Sequence, residues 1–304
     1  MSMNNRQYLI VGGTTKAATT SIFFYLRDHP QICPASLKEV RFFLPPEYGL
    51  SAKSFFDGSN LDSYEEYFTA WMAGQVRMDV TPDYLYSAHA AQMLKQSLPD
   101  SKIVFILRDP VDRLYSWFRF SKQNGQLSSR LTFAGYVGLQ RNQSRSGCSP
   151  LSEPHHMRAL EHGRYLKYLD PYYELFADQL LILRYEDLTH SPREQMKSIC
   201  SFVGIDGGYF NNYEFKIYNK TQTMRFPGVH KKYIEICRNL RFFVSETPRV
   251  HDILRRLKRS VEPAYLRMNV EKKMIGEHIE KETKEFLENY YKEEIRFLAK
   301  LNQV

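Results

Sequence analysis

Short apolar runs that each give way to a helical pattern recur along this chain, and no other feature limits its possible folds as strongly. The runs with the length of buried strands lie at 8–11, 102–107 and 179–183. Helical patterns lie at 17–26, 88–98, 110–120, 192–203 and 274–301. The third helix has clear start signals, because Asp109 fits its N-cap and Pro110 its first turn. The alternation predicts an α/β fold, with a mostly parallel central sheet flanked by helices.

Two segments depart from this pattern within the 304 residues, which otherwise suit one domain. The stretch 121–163 is polar and rich in Ser, Gly, Gln and Arg, and it predicts a substrate loop inserted into the core. The stretch 205–270 is interpreted as a variable, basic segment. The final helix is expected to pack on the sheet by one face, since its apolar residues recur at helical spacing.

The balance of charge favours anionic partners, because the formal net charge is +8 and the isoelectric point is about 9.1. It does not choose among a nucleotide, an acidic glycan, an anionic membrane surface and a nucleic acid. The run Arg-Arg-Leu-Lys-Arg at 255–259 is interpreted first as a solvated helix face and second as a dock for a membrane or glycan. No nucleic-acid partner is therefore predicted, and the oligomeric state stays open.

The four cysteines stand at 33, 148, 200 and 237 without a CxxC pair, and no histidines have zinc-finger spacing. These spacings argue against a disulfide framework and a structural zinc site, and free thiols suit a reducing cytosol. No run approaches the ~20 apolar residues of a membrane span, and a strand from Tyr8 leaves no room for a signal peptide. We therefore expect a cytoplasmic protein without a bound metal.

Residues 12–21 have the composition of an anion-binding loop, at the point where the first strand gives way to a helix. Gly12 and Gly13 let the backbone close around an anion, and the amides at the helix start favour phosphate or sulfate. Lys16 adds a positive charge, and hydroxyl groups follow at 19–21. No Gly-Lys-Ser/Thr follows at Walker A spacing, which weakens a kinase interpretation. The alternative is a tight turn with an ordinary helix cap.

Arg108 ends the second predicted strand, at the carboxyl edge where open α/β sheets bind ligands. Its guanidinium fork can hold a phosphate through two hydrogen bonds. Ser116 lies about two turns into the following helix and can donate to the same group. The alternative is an arginine that only pairs with the helix cap.

These two segments resemble the phosphate-binding motifs of the sulfotransferases that use 3′-phosphoadenosine 5′-phosphosulfate (PAPS). Lys-Ala-Ala-Thr-Thr-Ser at 16–21 is similar to the family's Lys-x-Gly-Thr-Thr-Ser, and an arginine stands eight residues before a serine in both. The resemblance implies one P-loop-like domain over 1–304. It also implies a PAPS site without metal, formed by Thr15, Lys16, Ala17, Ala18, Thr19, Thr20, Ser21, Arg108 and Ser116. Ala18 departs from the family glycine, and its methyl group is costly if φ is positive.

Residues 38–43, Lys-Glu-Val-Arg-Phe-Phe, resemble the segment that carries the catalytic glutamate in heparan sulfate-type sulfotransferases. The resemblance implies that Glu39 is the general base. We expect the flanking Phe42 and Phe43 to raise its pKa by limiting hydration. An exposed Lys–Glu pair on a loop is the alternative, and the histidine pair at 155–156 is the rival base.

Residues 79–84 match the Glu-Lys-Thr-Pro-x-Tyr segment of the same family only in part, because Val80 stands where heparan-type enzymes often have a catalytic lysine. The departure argues against a strict heparan enzyme. It leaves Lys16, helped by Lys38, as the main cationic catalyst.

The resemblance implies in-line transfer of a sulfuryl group from PAPS to a hydroxyl or amine of an acceptor. The glutamate-type motif and the basic composition favour a carbohydrate or glycolipid acceptor, with a small secondary metabolite as the alternative. A P-loop nucleotide kinase remains as a further hypothesis. So does a non-catalytic nucleotide-binding module, because Ala18 and Val80 both depart from the family pattern.

Overall fold

A five-stranded parallel sheet forms the centre of the molecule. The computed structural model describes residues 7–50, 52–128, 130–145, 155–216 and 279–301, with positions 218, 229, 232 and 268. The strands are β1 (Tyr8–Gly13), β2 (Ile32–Pro34), β3 (Val76–Val80), β4 (Lys102–Leu107) and β5 (Leu180–Arg184), in the spatial order β2-β3-β1-β4-β5. All neighbouring pairs are parallel, which confirms the predicted α/β fold.

Helices connect these strands. They are α1 (Thr19–Arg27), α2 (Asp62–Glu65), α3 (Ala88–Ser97), α4 (Pro110–Gln123), α5 (Phe133–Arg145), α6 (Tyr165–Phe176), α7 (Tyr185–His190), α8 (Pro192–Val203), α9 (Lys281–Tyr290) and α10 (Lys292–Lys300). The predicted start of α4 is confirmed, since the Asp109 carboxylate accepts hydrogen bonds from the amides of Val111 and Asp112. Helix α1 begins at Thr19 rather than at 17, because Ala18 adopts a left-handed conformation.

Two glycines allow the chain to leave β1 close to β4. A Cβ at Gly13, whose φ is +125°, would lie 2.3 Å from the Ile106 carbonyl oxygen, and one at Gly12 would lie 2.6 Å from the Phe105 ring. Thr14 then donates its amide to the Ile106 carbonyl at 2.8 Å. A larger residue does not fit this approach. The packing of β1 on β4 therefore requires the glycine pair, whatever the loop binds.

Side chains from the two faces of the sheet enter two separate cores, because successive strand residues point to opposite faces. Tyr8 and Ile10 of β1 pack in one core with residues of α3 and α6. Leu9 and Val11 pack in the other with residues of α1 and α8. Each fully buried large apolar side chain contributes roughly 1.5–3 kcal/mol, so these layers fix the position of the strand ends.

A third apolar cluster corrects the prediction for residues 121–163. Helix α5 lies in this stretch, and its fully buried Tyr136 packs on Phe118 of α4 with ring centroids 5.4 Å apart. Leu287 of α9 joins the same cluster. The stretch is therefore not a loop throughout, because its apolar residues recur at helical spacing and enter the core. Residues 129 and 146–154 lie outside the described part, and a role of the stretch in acceptor binding stays a prediction.

The C-terminal helix expected over 274–301 divides at Tyr291 into α9 and α10. Tyr291 donates its hydroxyl to the Leu160 carbonyl at 2.6 Å. Leu287 of α9 packs in the cluster with α4 and α5, whereas Leu298 of α10 enters the core on one face of the sheet, so only the second half packs on the sheet. Residues 274–278 and most of 205–270 lie outside the described residues. None of the helices in the described part of the chain has the length and apolar character that crossing a bilayer needs.

Candidate active site

The carboxyl ends of β1, β3 and β4 meet at one edge of the sheet, because these strands are adjacent and parallel. The chain after β1 forms the predicted anion loop, and the chain after β4 begins with Arg108. The guanidinium of Arg108 donates to the backbone carbonyl of Lys16 at 3.1 Å. The two segments predicted to bind phosphate groups therefore lie side by side, at the edge where open α/β sheets bind ligands.

The anion loop enters α1 through a left-handed residue. Ala18, at φ 61°, is the N-cap of the helix, and its carbonyl accepts from the amides of Ser21 at 2.9 Å and Ile22 at 3.2 Å. Among the described residues, no side chain caps this helix start. Amides at such a start favour an anion. Because φ is positive, the methyl group of Ala18 costs the loop about 1–2 kcal/mol relative to glycine.

Backbone strain is concentrated at this edge. Five non-glycine residues of the described chain have positive φ, and four of them are Lys16, Ala18, Glu39 and Arg41. Each such residue costs of order 1–3 kcal/mol and persists only where its surroundings hold it. Strain of this kind clusters at active sites, so the backbone marks the same residues as the sequence motifs do.

The predicted loop residues differ in exposure. Ala17 is fully buried, and Thr19 and Ser21 are buried at the first turn of α1. Thr15 and Thr20 are half-buried, as are Lys16 and Ala18. The hydroxyl groups most accessible to a ligand are therefore those of Thr15 and Thr20, and the buried residues contribute packing and backbone.

Lys16 lies among other cations. Its Nζ atom is 4.3 Å from the centre of the Phe120 ring. Burial, together with the positive charges of Arg108 and Arg119, lowers the pKa of Lys16 to about 8. Sequence reasoning missed Arg119, although its spacing from Ser116 and Phe120 places all three on one side of α4. Closely spaced positive charges of this kind attract a polyanion.

Arg108 is held by the surrounding structure. Its guanidinium carbon lies 4.5 Å from the centre of the Tyr185 ring, and its carbonyl accepts from the Tyr165 hydroxyl at 2.8 Å. Ser116 is half-buried two turns along α4. A stacked arginine is pre-organised for recognition of a planar or phosphate group. The roles of Arg108 and Ser116 in phosphate binding stay predictions.

Glu39 lies next to the end of β3 and is ion-paired on both sides. Its amide donates to the Val80 carbonyl at 3.0 Å. One carboxylate oxygen is 2.8 Å from Lys38 Nζ, and the other is 2.6 Å from an Arg41 guanidinium nitrogen. Burial raises the pKa of Glu39, but the ion pairs with Lys38 and Arg41 outweigh it and hold that pKa below its usual value.

The predicted effect of Phe42 and Phe43 on Glu39 is therefore wrong. Both rings are buried in the core, where they pack on Tyr64 with centroids 5.1 and 5.0 Å away. Positive φ at residues 39 and 41 turns the chain between the carboxylate and the rings. The nearest neighbours of the carboxylate are cations, which lower its pKa instead of raising it.

Val80 is fully buried in the apolar layer that contains Val11, so this position supplies no cation to the edge. Arg41 places a cation beside Glu39 instead. Sequence reasoning did not identify Arg41, and its only signal was its position two residues after a candidate base.

The rival base, the histidine pair at 155–156, stays an alternative prediction. His156 is half-buried, and burial lowers its pKa. The side chain of His155 lies outside the described part. Within the residues that the structure describes, no three His, Cys, Asp or Glu side chains are grouped so that they could hold a metal ion.

Comparison with known families agrees with this geometry. The family described as the sulfotransferase domain matches the chain over residues 59–296. The chain belongs to this sulfotransferase family. Members of the family use PAPS. The match includes Arg108 and Ser116 but begins after Glu39 and the anion loop, so the roles of Glu39 and of the loop stay predictions.

Among curated proteins, this sulfotransferase chain is similar to heparan sulfate enzymes. Human bifunctional heparan sulfate N-deacetylase/N-sulfotransferase 2 is 28% identical over an alignment of 236 residues, and the match covers 72% of this chain and 23% of that protein. Mouse heparan sulfate glucosamine 3-O-sulfotransferase 3B1 is 25% identical over 197 residues, which are 64% of this chain and 45% of that protein. The chain thus spans less than half the length of either relative.

A solved structure shares the fold of this sulfotransferase chain. It is the crystal structure of a sulfotransferase from Alicyclobacillus acidocaldarius, with a TM-score of 0.58 and 21% identity. The likeness covers 82% of this chain and 96% of that one. It shows the α/β arrangement of sheet and helices.

Proposed function

We propose that this chain transfers the sulfuryl group of PAPS to a hydroxyl or amine of a carbohydrate-containing acceptor. One observation carries the proposal, namely the 3.1 Å hydrogen bond from the Arg108 guanidinium to the carbonyl of Lys16. A donor with phosphates on two positions of one nucleotide needs two anion sites at a fixed separation. Residues 15–21 and 108–116 supply two such segments at one sheet edge.

The residues of this edge fit a doubly phosphorylated nucleotide. The loop lacks side chains at Gly12 and Gly13, and α1 begins without a side-chain cap among the described residues. In this assignment, the loop amides and Lys16 hold the 5′ end, and Arg108 with Ser116 holds the 3′-phosphate. Bound PAPS supplies a sulfuryl group attached to a phosphate leaving group.

Glu39 takes the proton of the acceptor in this mechanism. Its carboxylate is about one-third exposed, and the ion pairs with Lys38 and Arg41 keep its pKa low, so it is ionised at neutral pH. The acceptor oxygen or nitrogen forms a bond to sulfur, its proton passes to Glu39, and the bond from sulfur to the leaving phosphate oxygen breaks. The low pKa keeps the carboxylate free of a proton and able to accept one, and the acceptor proton becomes acidic enough to pass to this weak base as the new bond to sulfur forms.

Lys16 stabilises the negative charge that develops on the leaving phosphate. With a pKa of about 8 it is protonated at neutral pH, and Arg108 and Arg119 add positive charge nearby. A fixed cation in a partly buried site is more effective than one in water, because the effective dielectric is lower.

A carbohydrate acceptor is supported by the names of the two curated relatives described above, both of which refer to heparan sulfate. The cations beside Glu39 add positive charge where an acceptor must approach, which favours an acceptor that carries negative charge. Preferential transfer to a small metabolite would contradict the carbohydrate assignment and replace it.

The test has a binding step and a transfer step. Adenosine 3′,5′-bisphosphate should bind in the presence of a metal chelator, whereas selective binding of ATP only with magnesium would indicate a kinase. Sulfur-labelled PAPS should then label desulfated heparan fragments or a glycolipid in preference to small phenols. Tight nucleotide binding without transfer to any acceptor would contradict the enzyme and favour a binding module.

A further inference from the structure

Every second backbone amide of the segment 39–43 donates a hydrogen bond to the end of β3 or to the residues that follow it. The three hydrogen bonds join Glu39 N to the Val80 carbonyl at 3.0 Å, Arg41 N to Thr81 Oγ1 at 3.3 Å and Phe43 N to Tyr84 Oη at 3.4 Å. Two of the three acceptors are side-chain hydroxyls. A hydroxyl accepts in the required direction only if its own hydrogen points elsewhere.

A buried carboxylate sets the direction of both hydroxyls. Asp79 is fully buried, and its Oδ1 accepts from Thr81 Oγ1 at 2.7 Å while its Oδ2 accepts from Tyr84 Oη at 2.9 Å. Tyr64 donates to the same Oδ2 at 3.2 Å. Because an ionised carboxylate only accepts, each hydroxyl must give it the hydrogen and turn its lone pairs to the amides of Arg41 and Phe43.

The network also reaches the strand that precedes the anion loop. Thr81 donates its amide to the Val11 carbonyl of β1 at 3.0 Å, so its position is fixed from both sides. Glu39 and Arg41 have φ values of 65° and 62°, a conformation that the surroundings must hold. The hydrogen bonds from their amides are among the contacts that hold it, together with the ion pair between the two side chains.

We propose that Asp79 is a positioning residue for Glu39, and that it acts by orienting the Thr81 and Tyr84 hydroxyls that support the segment 39–43. The inference rests on the proposed function, in which Glu39 receives the acceptor proton. Burial raises the pKa of Asp79 to about 6, so the group is ionised at neutral pH and keeps both hydroxyls oriented. Asp79 touches neither donor nor acceptor in this account.

Two tyrosines provide a matched test, because both donate to Asp79 Oδ2 and both are fully buried. Only Tyr84 also accepts from the segment, through the amide of Phe43. Tyr84→Phe should lower kcat by at least about tenfold, since small displacements of a catalytic group cost this much. Tyr64→Phe should leave kcat near the wild-type value. It loses the one hydrogen bond to Asp79, whereas Tyr84→Phe loses that to Asp79 and that from the Phe43 amide, so the free energy of unfolding is measured for both variants.

Thr81 gives a second test that includes a rescue. Thr81→Val removes the hydroxyl and should lower kcat, whereas Thr81→Ser keeps it and should retain kcat. The dissociation constant of adenosine 3′,5′-bisphosphate should stay unchanged in every variant. Asp79→Asn should reproduce the loss of kcat, because the amide nitrogen donates and reverses one hydroxyl. If Asp79→Asn does not fold, the two tyrosine variants and the two Thr81 variants still test the positioning role of Asp79.

The outcomes separate this inference from the proposed function. Glu39→Gln should abolish turnover and keep nucleotide binding; a fully active Glu39→Gln enzyme would remove the base assignment itself. If Glu39→Gln is inactive but Tyr84→Phe and Tyr64→Phe have equal kcat values, Glu39 is the base and the positioning role of Asp79 is wrong. A parallel loss of kcat and nucleotide affinity in Thr81→Val would likewise overturn it.

Discussion

Ala18 occupies a conformation that glycine adopts without cost. Its φ of 61° places this residue in the left-handed region at the start of α1. The methyl group therefore strains the loop in which the 5′ end of the donor is proposed to lie. Ala18 therefore differs from the family's glycine in the energy of its backbone conformation more than in the groups that it offers to a ligand.

Substitution of this residue gives a prediction with an opposite control. Ala18→Gly should keep or raise the free energy of unfolding, by up to about 1 kcal/mol, because relief of strain exceeds the added entropy of the unfolded chain. Ala17→Gly, at a fully buried neighbour without positive φ, should lower it by about 1 kcal/mol or more. Chemical denaturation of both variants measures the difference. Equal losses in the two would contradict the strain at Ala18.

Lys16 should make nucleotide binding depend on pH. Its pKa is lowered to about 8, so the ammonium loses its proton as the pH rises through that value. Affinity for adenosine 3′,5′-bisphosphate should then fall, by about tenfold per unit of pH above 8, because the bound anion requires the charged form. Titration calorimetry over the range measures it. Lys16→Met should bind weakly with no such decline, and an identical decline in that variant would assign the effect to another group.

At the scale of elements, sequence patterns predicted strands and helices where the pattern is long or its caps are local. Strand β4 and helix α8 have their predicted bounds, and α4 starts at its predicted cap. Strands β2 and β3 were not predicted, since β2 has only three residues and Arg77 and Asp79 interrupt the apolar run of β3. Helix α5 was missed because its polar composition hid an apolar face that only α4 and α9 complete.

The residues of the candidate site were predictable where a local sequence motif marks them. Lys16, Glu39 and Arg108 follow from local motifs, and the structure brings Lys16 and Arg108 into contact. Arg41 and the pKa of Glu39 were not predictable, because both depend on a left-handed turn that no residue type announces. Lys38 and Arg41 are neighbours of the carboxylate both in the chain and in space, whereas Phe42 and Phe43 turn away from it into the core.

The packing of α5 and Tyr291 can be tested with two Gly→Ala changes. A Cβ at Gly163 would lie 2.4 Å from the Tyr291 ring, whereas one at Gly138 in α5 meets nothing within 4 Å. Gly163→Ala should lower the free energy of unfolding by about 1–3 kcal/mol through overpacking. Gly138→Ala should raise it by about 0.5–1 kcal/mol, because alanine favours a helix. Thermal unfolding distinguishes the two signs, and destabilisation by Gly138→Ala would argue against α5.

At the scale of the whole molecule, one parallel sheet joins anion sites that are far apart in the sequence. Because β1 and β4 are neighbours, the loop at residues 15–21 and Arg108 meet at the same edge. Because β3 adjoins β1 on the other side, Glu39 is attached to the same edge through Val80. The net charge of +8 supports binding of a polyanion but does not locate it. The order of the strands determines where the two anion sites lie.

The measurement that tests this arrangement most directly is nucleotide binding by the wild type and by Arg108→Ala, with two ligands that differ only in the 3′-phosphate. Loss of a charged hydrogen-bonding group should weaken adenosine 3′,5′-bisphosphate by about 10- to 100-fold. Adenosine 5′-monophosphate should lose far less affinity, because it lacks the group that Arg108 is assigned to hold and loses only the support that Arg108 gives to the Lys16 loop. Equal weakening of the two ligands would contradict the account of two anion sites on one nucleotide.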